Sequence, residues 1–237
     1  MKLKITSQHE VASKTLAVHL EKPDGFAFEA GQFIEAALID PPETDAEGDN
    51  RAFTLASAPY EPELIFATRL RDTAFKRVLR NLRKGQEISV DGPFGSFTLH
   101  KDAARPAVFL AGGIGITPFR SIVLQAAKEA LPHRLFLFFA NRRPEDAAFL
   151  RELQDVEKQN PQFTLVATMT QPQPSAQPWQ GPHGHIDKAM IERYAGPMAA
   201  PIFYLAGPAG MVRAMQSLLR SAGVTTDNIR AEEFAGY

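Results

Sequence analysis

Along the first hundred residues, short apolar runs alternate with polar positions and are broken by proline, glycine and acidic stretches. LKIT, TLAVHL, QFIEAALI, RAFTLAS, LIFATRL and EISVDG each have the length and composition of a strand. One helix is predicted here, over 75–82, because Phe75, Val78, Leu79 and Leu82 fall on one helical face. Many short strands with a single helix predict an antiparallel barrel. PPETDAEGDN, residues 41–50, is polar and turn-rich, and is expected to be an exposed loop.

From residue 106 the rhythm changes. The runs AVFLAG, RLFLFFAN, FTLVATM and IFYLAG are apolar at consecutive positions and alternate with helical patterns over 118–130, 145–158, 187–194 and 209–221. Strands apolar on both faces and joined by helices predict a parallel sheet covered on both sides. The expected fold is thus a β-barrel over 1–101 followed by an α/β domain over 106–237, with the boundary near HKDAARP at 100–106. The Pro- and Gly-rich segment 171–187 is expected to be a long loop.

Composition narrows the function. A chain of 237 residues with 44% hydrophobic and 22% charged residues is an ordinary globular protein, and its formal net charge of −1 draws it toward neither nucleic acid nor an anionic membrane. It has no cysteine, which excludes disulfides, thiolate zinc sites and cysteine-bound iron–sulfur clusters on this chain and fits a reducing compartment. MKLKITSQHEV lacks the apolar core of a signal peptide, and no run approaches the ~20 apolar residues of a membrane span, so a cytoplasmic location is expected. His183 and His185 stand in the Pro-rich loop without further ligands and are read as polar loop residues, with no metal site expected.

The strongest chemical signal is AGGIGITPF, where strand 107–111 runs into Gly112, Gly113 and Gly115 and a helix begins at Thr117-Pro118. Thr117 suits an N-cap and Pro118 the first helical turn. A strand, a glycine turn and a helix N-terminus together make an anion site, whose natural ligand is a dinucleotide pyrophosphate. The G-x-G-x-x-G pattern is incomplete, since Pro118 takes the third glycine's place, and a glycine corner built only for close packing stays open as the alternative. The next strand ends in Asn141, Arg142 and Arg143, where NAD-type sites place an acidic residue, so a 2′-phosphate and hence NADPH is favoured. Two solvated arginines before a helix are the other reading. AGPAGM, 206–211, is a second strand-to-helix turn of small residues, which either clears a slot for a planar ring or serves helix–sheet packing.

RAFTLAS (51–57), DTAFKRVL (72–79), DGPFG (91–95), GGIGITP, AGPAGM and EEFAGY, in this order across nearly the whole chain, resemble the ferredoxin–NADP reductase superfamily. The resemblance implies a flavin-binding antiparallel barrel followed by a Rossmann-like NAD(P)-binding domain, with FAD, or FMN as the alternative, and NAD(P)H as hydride donor. It implies that Arg51 pairs with the flavin phosphate, Phe53 packs on the flavin and Thr54 sets its hydroxyl near flavin N5, with Ala52 beside them. Ala67, Thr68 and Arg69 match flavin-lining positions, and Thr73 a pyrophosphate-binding helix start. Gly113, Gly115, Ile116, Thr117 and Pro118 match the nucleotide pyrophosphate site, and Gly207, Pro208 and Met211 the nicotinamide side. Glu232 and Phe234 match a C-terminal pair in which the aromatic covers the flavin face and the carboxylate orients the nicotinamide or relays a proton. Phe53 replaces a commoner Tyr, Ala206 replaces a frequent Cys, and Tyr237 is a second candidate for the covering aromatic. Without the resemblance RAFTLAS reads as an ordinary strand.

The acceptor is constrained only by charge. Between 69 and 84 lie seven basic residues, Arg69, Arg71, Lys76, Arg77, Arg80, Arg83 and Lys84, against one acid, Asp72. Lys76, Arg77 and Arg80 on the helix are expected either to dock an acidic electron carrier such as ferredoxin or flavodoxin, or to be a solvated surface. The expected function is an FAD-dependent oxidoreductase that passes electrons from NAD(P)H to ferredoxin, flavodoxin or an oxygenase component. A free-flavin or ferric-chelate reductase and a non-enzymatic flavin- or nucleotide-binding regulatory subunit are the alternatives.

Overall fold

The computed structural model describes residues 1–173, 175 and 177–234, so Tyr237 lies outside the described residues. Six antiparallel strands build the first half: β1 (Lys2–Ala12), β2 (Thr15–Glu21), β3 (Phe33–Leu38), β4 (Asn50–Thr54), β5 (Glu63–Arg69) and β6 (Glu87–Phe94), in the order β4-β3-β6-β1-β2-β5. The outer strands meet just past β4, where Leu55 bridges Phe66 and the Ala56 N–H donates to the Ile65 carbonyl at 2.7 Å, closing the sheet into a barrel. Period-two alternation fills it. Leu3 and Ile5, Leu16, Val18 and Leu20, and Ile34 and Ala36 share one core. Helix α1 (Ala74–Asn81) adds Phe75, Val78 and Leu79 to that core, the face its spacing predicts.

The second half alternates strand and helix: β7 (Ala107–Gly112), α2 (Thr117–Lys128), β8 (Leu135–Asn141), α3 (Leu150–Gln159), β9 (Phe163–Met169), α4 (Lys188–Ala195), β10 (Ile202–Pro208), α5 (Ala209–Ser221) and β11 (Ile229–Phe234). All five strands are parallel, in the order β11-β10-β7-β8-β9. Successive residues serve opposite faces. Phe109, Leu137, Phe139 and Tyr204 pack with Phe119 and Val123 of α2, while Val108, Leu110, Phe138 and Phe203 pack with Ile191 of α4 and Val212 of α5. The chain moves outward from β7 to β9, then returns to lay β10 on the other side of β7. The carboxyl ends of β7 and β10 therefore flank a topological switch point, where open α/β sheets hold ligands.

Three local expectations change. Thr117 does not cap α2: Gly113–Ile116 forms a 3-10 turn, Thr117 is already helical, and its hydroxyl donates to the Ile114 carbonyl at 3.2 Å. The helix expected over 145–158 begins only at Leu150, because Phe149 adopts a left-handed conformation at φ 60° and interrupts the run after a short 3-10 turn at Pro144–Asp146. The segment carrying EEF is a strand, β11, which a sequence with three charges in six residues conceals at the sheet's edge. Among the described residues no helix is long and apolar enough to cross a membrane.

Candidate functional site

The two halves are fastened where the site forms. Arg120, in the second turn of α2 and 5% exposed, donates to both carboxylate oxygens of Glu61 at 2.9 and 3.1 Å, to both of Glu152 at 2.6 and 2.7 Å, and to the Ala56 carbonyl at 2.6 Å. Ser121 donates to the Ser57 carbonyl at 2.6 Å. Both reach the segment after β4, so the helix that follows the glycine corner is tied to the strand that carries Arg51 to Thr54. A second tie runs from the Ser13 N–H in the β1–β2 turn to the Glu145 carbonyl at 2.7 Å.

A cavity of about 580 Å³ opens at this seam on the barrel side. Arg51, Ala52, Phe53 and Thr54 of β4, Ala67, Thr68 and Arg69 of β5, and Thr73 line it from the barrel. Ile114, Thr117, Glu232, Glu233 and Phe234 line it from the α/β half. Ten residues predicted from sequence for the flavin site are thereby brought together from segments far apart in the chain, and Thr117, predicted for the nucleotide pyrophosphate, lines this cavity with them. Phe53 is held by stacking on Phe66 at a centroid distance of 4.5 Å, which fixes its ring. Phe234 packs against the small cluster of Ala17, Ala56, Ile65, Ala67 and Ile114, which joins barrel residues to the turn after β7.

The charges in this cavity are arranged in opposed sets. The Arg51 guanidinium donates to Glu47 Oε2 at 2.9 Å and to the Glu47, Gly48 and Asn50 carbonyls, and lies 3.7 Å from Asp45 Oδ1. Asp45 Oδ2 accepts from the Ala74 N–H at 2.8 Å, in the first turn of α1, while Thr73 caps the same turn through Lys76 N. The loop 41–50 is thus exposed as expected, yet its carboxylates sit on the donors of the cavity. Lys76, Arg71 and Glu47 also line the cavity and were not foreseen. Burial, and after it the neighbouring Arg71, Arg51 and Arg69, pull the Lys76 ammonium down to about 8. Glu232 is pushed up to about 7 by burial alone.

The second cavity, about 930 Å³, lies beyond the carboxyl ends of the parallel strands. Gly112, Gly113, Asn141, Arg142, Pro208 and Met211 line it, as do Lys14, Thr170, His185 and Asp146, which sequence reasoning did not place there. Asn141 is 6% exposed, and among the described residues neither its amide oxygen nor its amide nitrogen has a hydrogen-bond partner. An unpaired buried amide costs about 1–3 kcal/mol, which a ligand in the cavity recovers. Gly113 sits at φ 52°, the left-handed value for which the corner needs a glycine. Arg69 and Arg71 border both cavities, so the two spaces meet at one basic wall.

Other predicted residues line neither cavity. Ile116 and Pro118 are buried, and Ile116 belongs to the core. A Cβ on Gly115 would overlap the Ala206 carbonyl oxygen, and one on Gly207 would press on Gly112, so these two glycines serve strand contact across the switch point. Part of the glycine corner is therefore close packing. Arg143 is paired with Asp146 and Glu145, leaving Arg142 as the exposed cation at that strand end. The proposed docking cluster also divides: Lys76 turns into the barrel-side cavity and Arg77 is paired with Glu43 and Asp72, so only Arg80 retains the free surface role read for all three. The i,i+4 spacing could not register carboxylates arriving from a distant loop.

Known proteins share both the sequence and the architecture. Residues 109–217 match the oxidoreductase NAD-binding domain. Ferredoxin–NADP reductase B of Sorangium cellulosum is 30% identical over 225 residues, covering 90% of this chain and 89% of that protein. The glycine betaine monooxygenase reductase subunit of Chromohalobacter salexigens is 29% identical over 224 residues; the match covers 93% of this chain but spans only 60% of that longer relative. The structure of a ferredoxin NADP+ reductase from Neisseria gonorrhoeae with bound FAD and NADP agrees with a TM-score of 0.80 over 98% of both chains, and at 21% identity it speaks for the fold.

Proposed function

The chain belongs to the ferredoxin–NADP reductase superfamily, whose members are NAD(P)H-dependent flavoprotein reductases, and from that premise we propose that it holds FAD in the barrel-side cavity, accepts a hydride from NADPH in the sheet-edge cavity and delivers electrons to a separate carrier protein or oxygenase component. The observation that carries this reading is the meeting of the two cavities at Arg69 and Arg71, between Phe234 on one side and the Gly112–Gly113 bend on the other.

The donor set fits the groups. Arg51, Arg71, Lys76 and the capped start of α1 present more positive charge and more N–H donors than one phosphate needs, which favours FAD over FMN. Burial first, and the neighbouring Arg71, Arg51 and Arg69 after it, disfavour the charged form of Lys76, and a pyrophosphate beside it would supply negative charge that favours it. In the other cavity Asn141 offers an unsatisfied amide and Arg142 an exposed cation at the position that reads the ribose 2′ substituent.

When bound, the flavin supplies the acceptance of a hydride pair and its release to one-electron acceptors. The chain's own residues position and screen. Phe53, fixed on Phe66, forms an apolar wall, and Thr54, 7% exposed, lines the cavity and would offer its hydroxyl to a bound flavin ring. Phe234 lines the cavity from the α/β half and would screen a bound flavin from water. Glu232, with its carboxyl at about 7, can hold or give up a proton near neutral pH, the condition for a proton relay at that oxygen. Arg120 keeps the two binding surfaces at fixed separation, so stacking costs little ordering once both ligands are in place.

Anaerobic addition of NADPH or NADH to the purified, flavin-loaded protein tests this. Bleaching of the flavin band at roughly 450 nm, faster with NADPH, is the expected result. Protein that stays yellow while binding nucleotide tightly would point to the regulatory reading, and protein that takes up no flavin would overturn the proposal.

A further inference from the structure

The sheet-edge cavity is bordered by four cations from three segments: Lys14 in the β1–β2 turn, Arg69 and Arg71 after β5, and Arg142 after β8. Among the described residues none of these four is ion-paired, whereas the neighbouring Arg143, Arg51 and Arg77 each bind carboxylates. The carboxylate that lines this cavity, Asp146, is held by Arg143 at 3.2 Å and so does not neutralise the others. An uncompensated cluster around a space of about 930 Å³ calls for an anion of several charges.

Lys14 is the unexpected member, because it belongs to the barrel. Its φ of 52° is a left-handed conformation that a non-glycine residue rarely adopts, and two hydrogen bonds keep the turn there: Leu70 N–H to the Lys14 carbonyl at 2.7 Å, and Ser13 N–H to the Glu145 carbonyl at 2.7 Å. The first bond ties the turn to the segment carrying Arg69 and Arg71, the second to the α/β half beside Arg142. A lysine is thus held at a position that favours glycine or asparagine, beside the nucleotide cavity and braced from both halves.

We propose that Lys14 is a phosphate ligand for the pyridine nucleotide, reaching from the barrel across the seam, so that nucleotide binding itself draws on both halves of the protein. The inference rests on the reductase reading above and adds to it a binding residue outside the α/β half. The phosphate is either the ribose 2′-phosphate or the bridging pyrophosphate, and the two are separable by experiment.

Lys14→Asn removes the charge with a residue that tolerates the left-handed conformation, and Lys14→Arg restores it. Dissociation constants for NADP+, NAD+ and 2′,5′-ADP are measured on the flavin-loaded protein from flavin difference spectra, with flavin content as the control for folding. About tenfold weaker NADP+ binding in Lys14→Asn, with recovery in Lys14→Arg and normal flavin content, is expected. Loss confined to NADP+ and 2′,5′-ADP assigns the 2′-phosphate, and equal loss for NADP+ and NAD+ assigns the pyrophosphate. If Lys14→Asn binds all three ligands as tightly as the unaltered protein while NADPH still bleaches the flavin, the Lys14 assignment is overturned and the reductase reading stands.

Discussion

The barrel-side cavity and the sheet-edge cavity are both lined by cations, but only in the first do carboxylates lie on a lining cation among the described residues. Asp45 and Glu47 lie on Arg51 and on the start of α1, the donors a flavin pyrophosphate would use. Among the described residues, Lys14 and Arg142 in the sheet-edge cavity are unpaired and the Asn141 amide has no partner. A ligand entering the first must displace carboxylates or share donors with them. A ligand entering the second meets a standing positive field. The difference teaches that similar charge at two sites need not mean similar binding: one site exchanges an intramolecular anion for an external one, and the other gains its anion outright.

The largest effect is expected at the joint between the two. Arg120→Met leaves the carboxylates of Glu61 and Glu152 without their buried cation and should destabilise the fold by about 3–5 kcal/mol, read as a lowered urea midpoint. Loss of stability of less than about 1 kcal/mol would mean that the Arg120 ion pairs contribute little to holding the halves together. Next, Arg51→Met should weaken FAD binding roughly 10- to 100-fold, measured as flavin retained after dialysis, while NADP+ binding to the sheet-edge cavity changes little. Equal losses at both cavities would erase the distinction between them.

A third probe is pH. The Glu232 carboxyl is raised from 4.5 to about 7 by burial, so the folded protein holds a proton that the unfolded chain gives up. Between those values the folded state binds more protons than the unfolded one, and stability therefore falls as pH rises across that window. Glu232→Gln should remove this slope, which thermal melts at pH 5 and pH 8 would reveal as a smaller difference than in the unaltered protein. The smallest effect is expected from Asp45→Asn, which keeps a group able to accept from the Ala74 N–H but removes the competing charge. FAD binding should tighten by roughly two- to fivefold, and weaker binding instead would show that Asp45 organises the site rather than competing for it.

Much of this architecture was legible along the chain because it repeats. Period-two alternation in TLAVHL and the apolar runs of AVFLAG and RLFLFFAN identify their strands without reference to anything distant, and Phe75, Val78 and Leu79 identify α1 in the same way. Ordered motifs brought Arg51 to Thr54, Ala67 to Arg69, Thr73, Glu232 and Phe234 to one cavity. Gly115 and Gly207 were assigned to ligand and are occupied with each other's strands, because a glycine needed by a neighbouring backbone and one needed by a phosphate look alike in one dimension.

Charged side chains carry no such period, and their roles depend on which partner arrives. Lys76 was placed on a docking face and lines a cavity, Arg77 was placed beside it and is neutralised by Glu43 and Asp72, and Lys14 drew no notice. The sequence by itself determined most of the strands and helices and the two cofactor-sized sites they frame, since burial imposes a local period on the covered elements but not on an edge strand such as β11. Only the tertiary structure decided which cations remain free to meet a ligand, because Coulomb attraction acts through space, between loops that the chain separates by tens of residues.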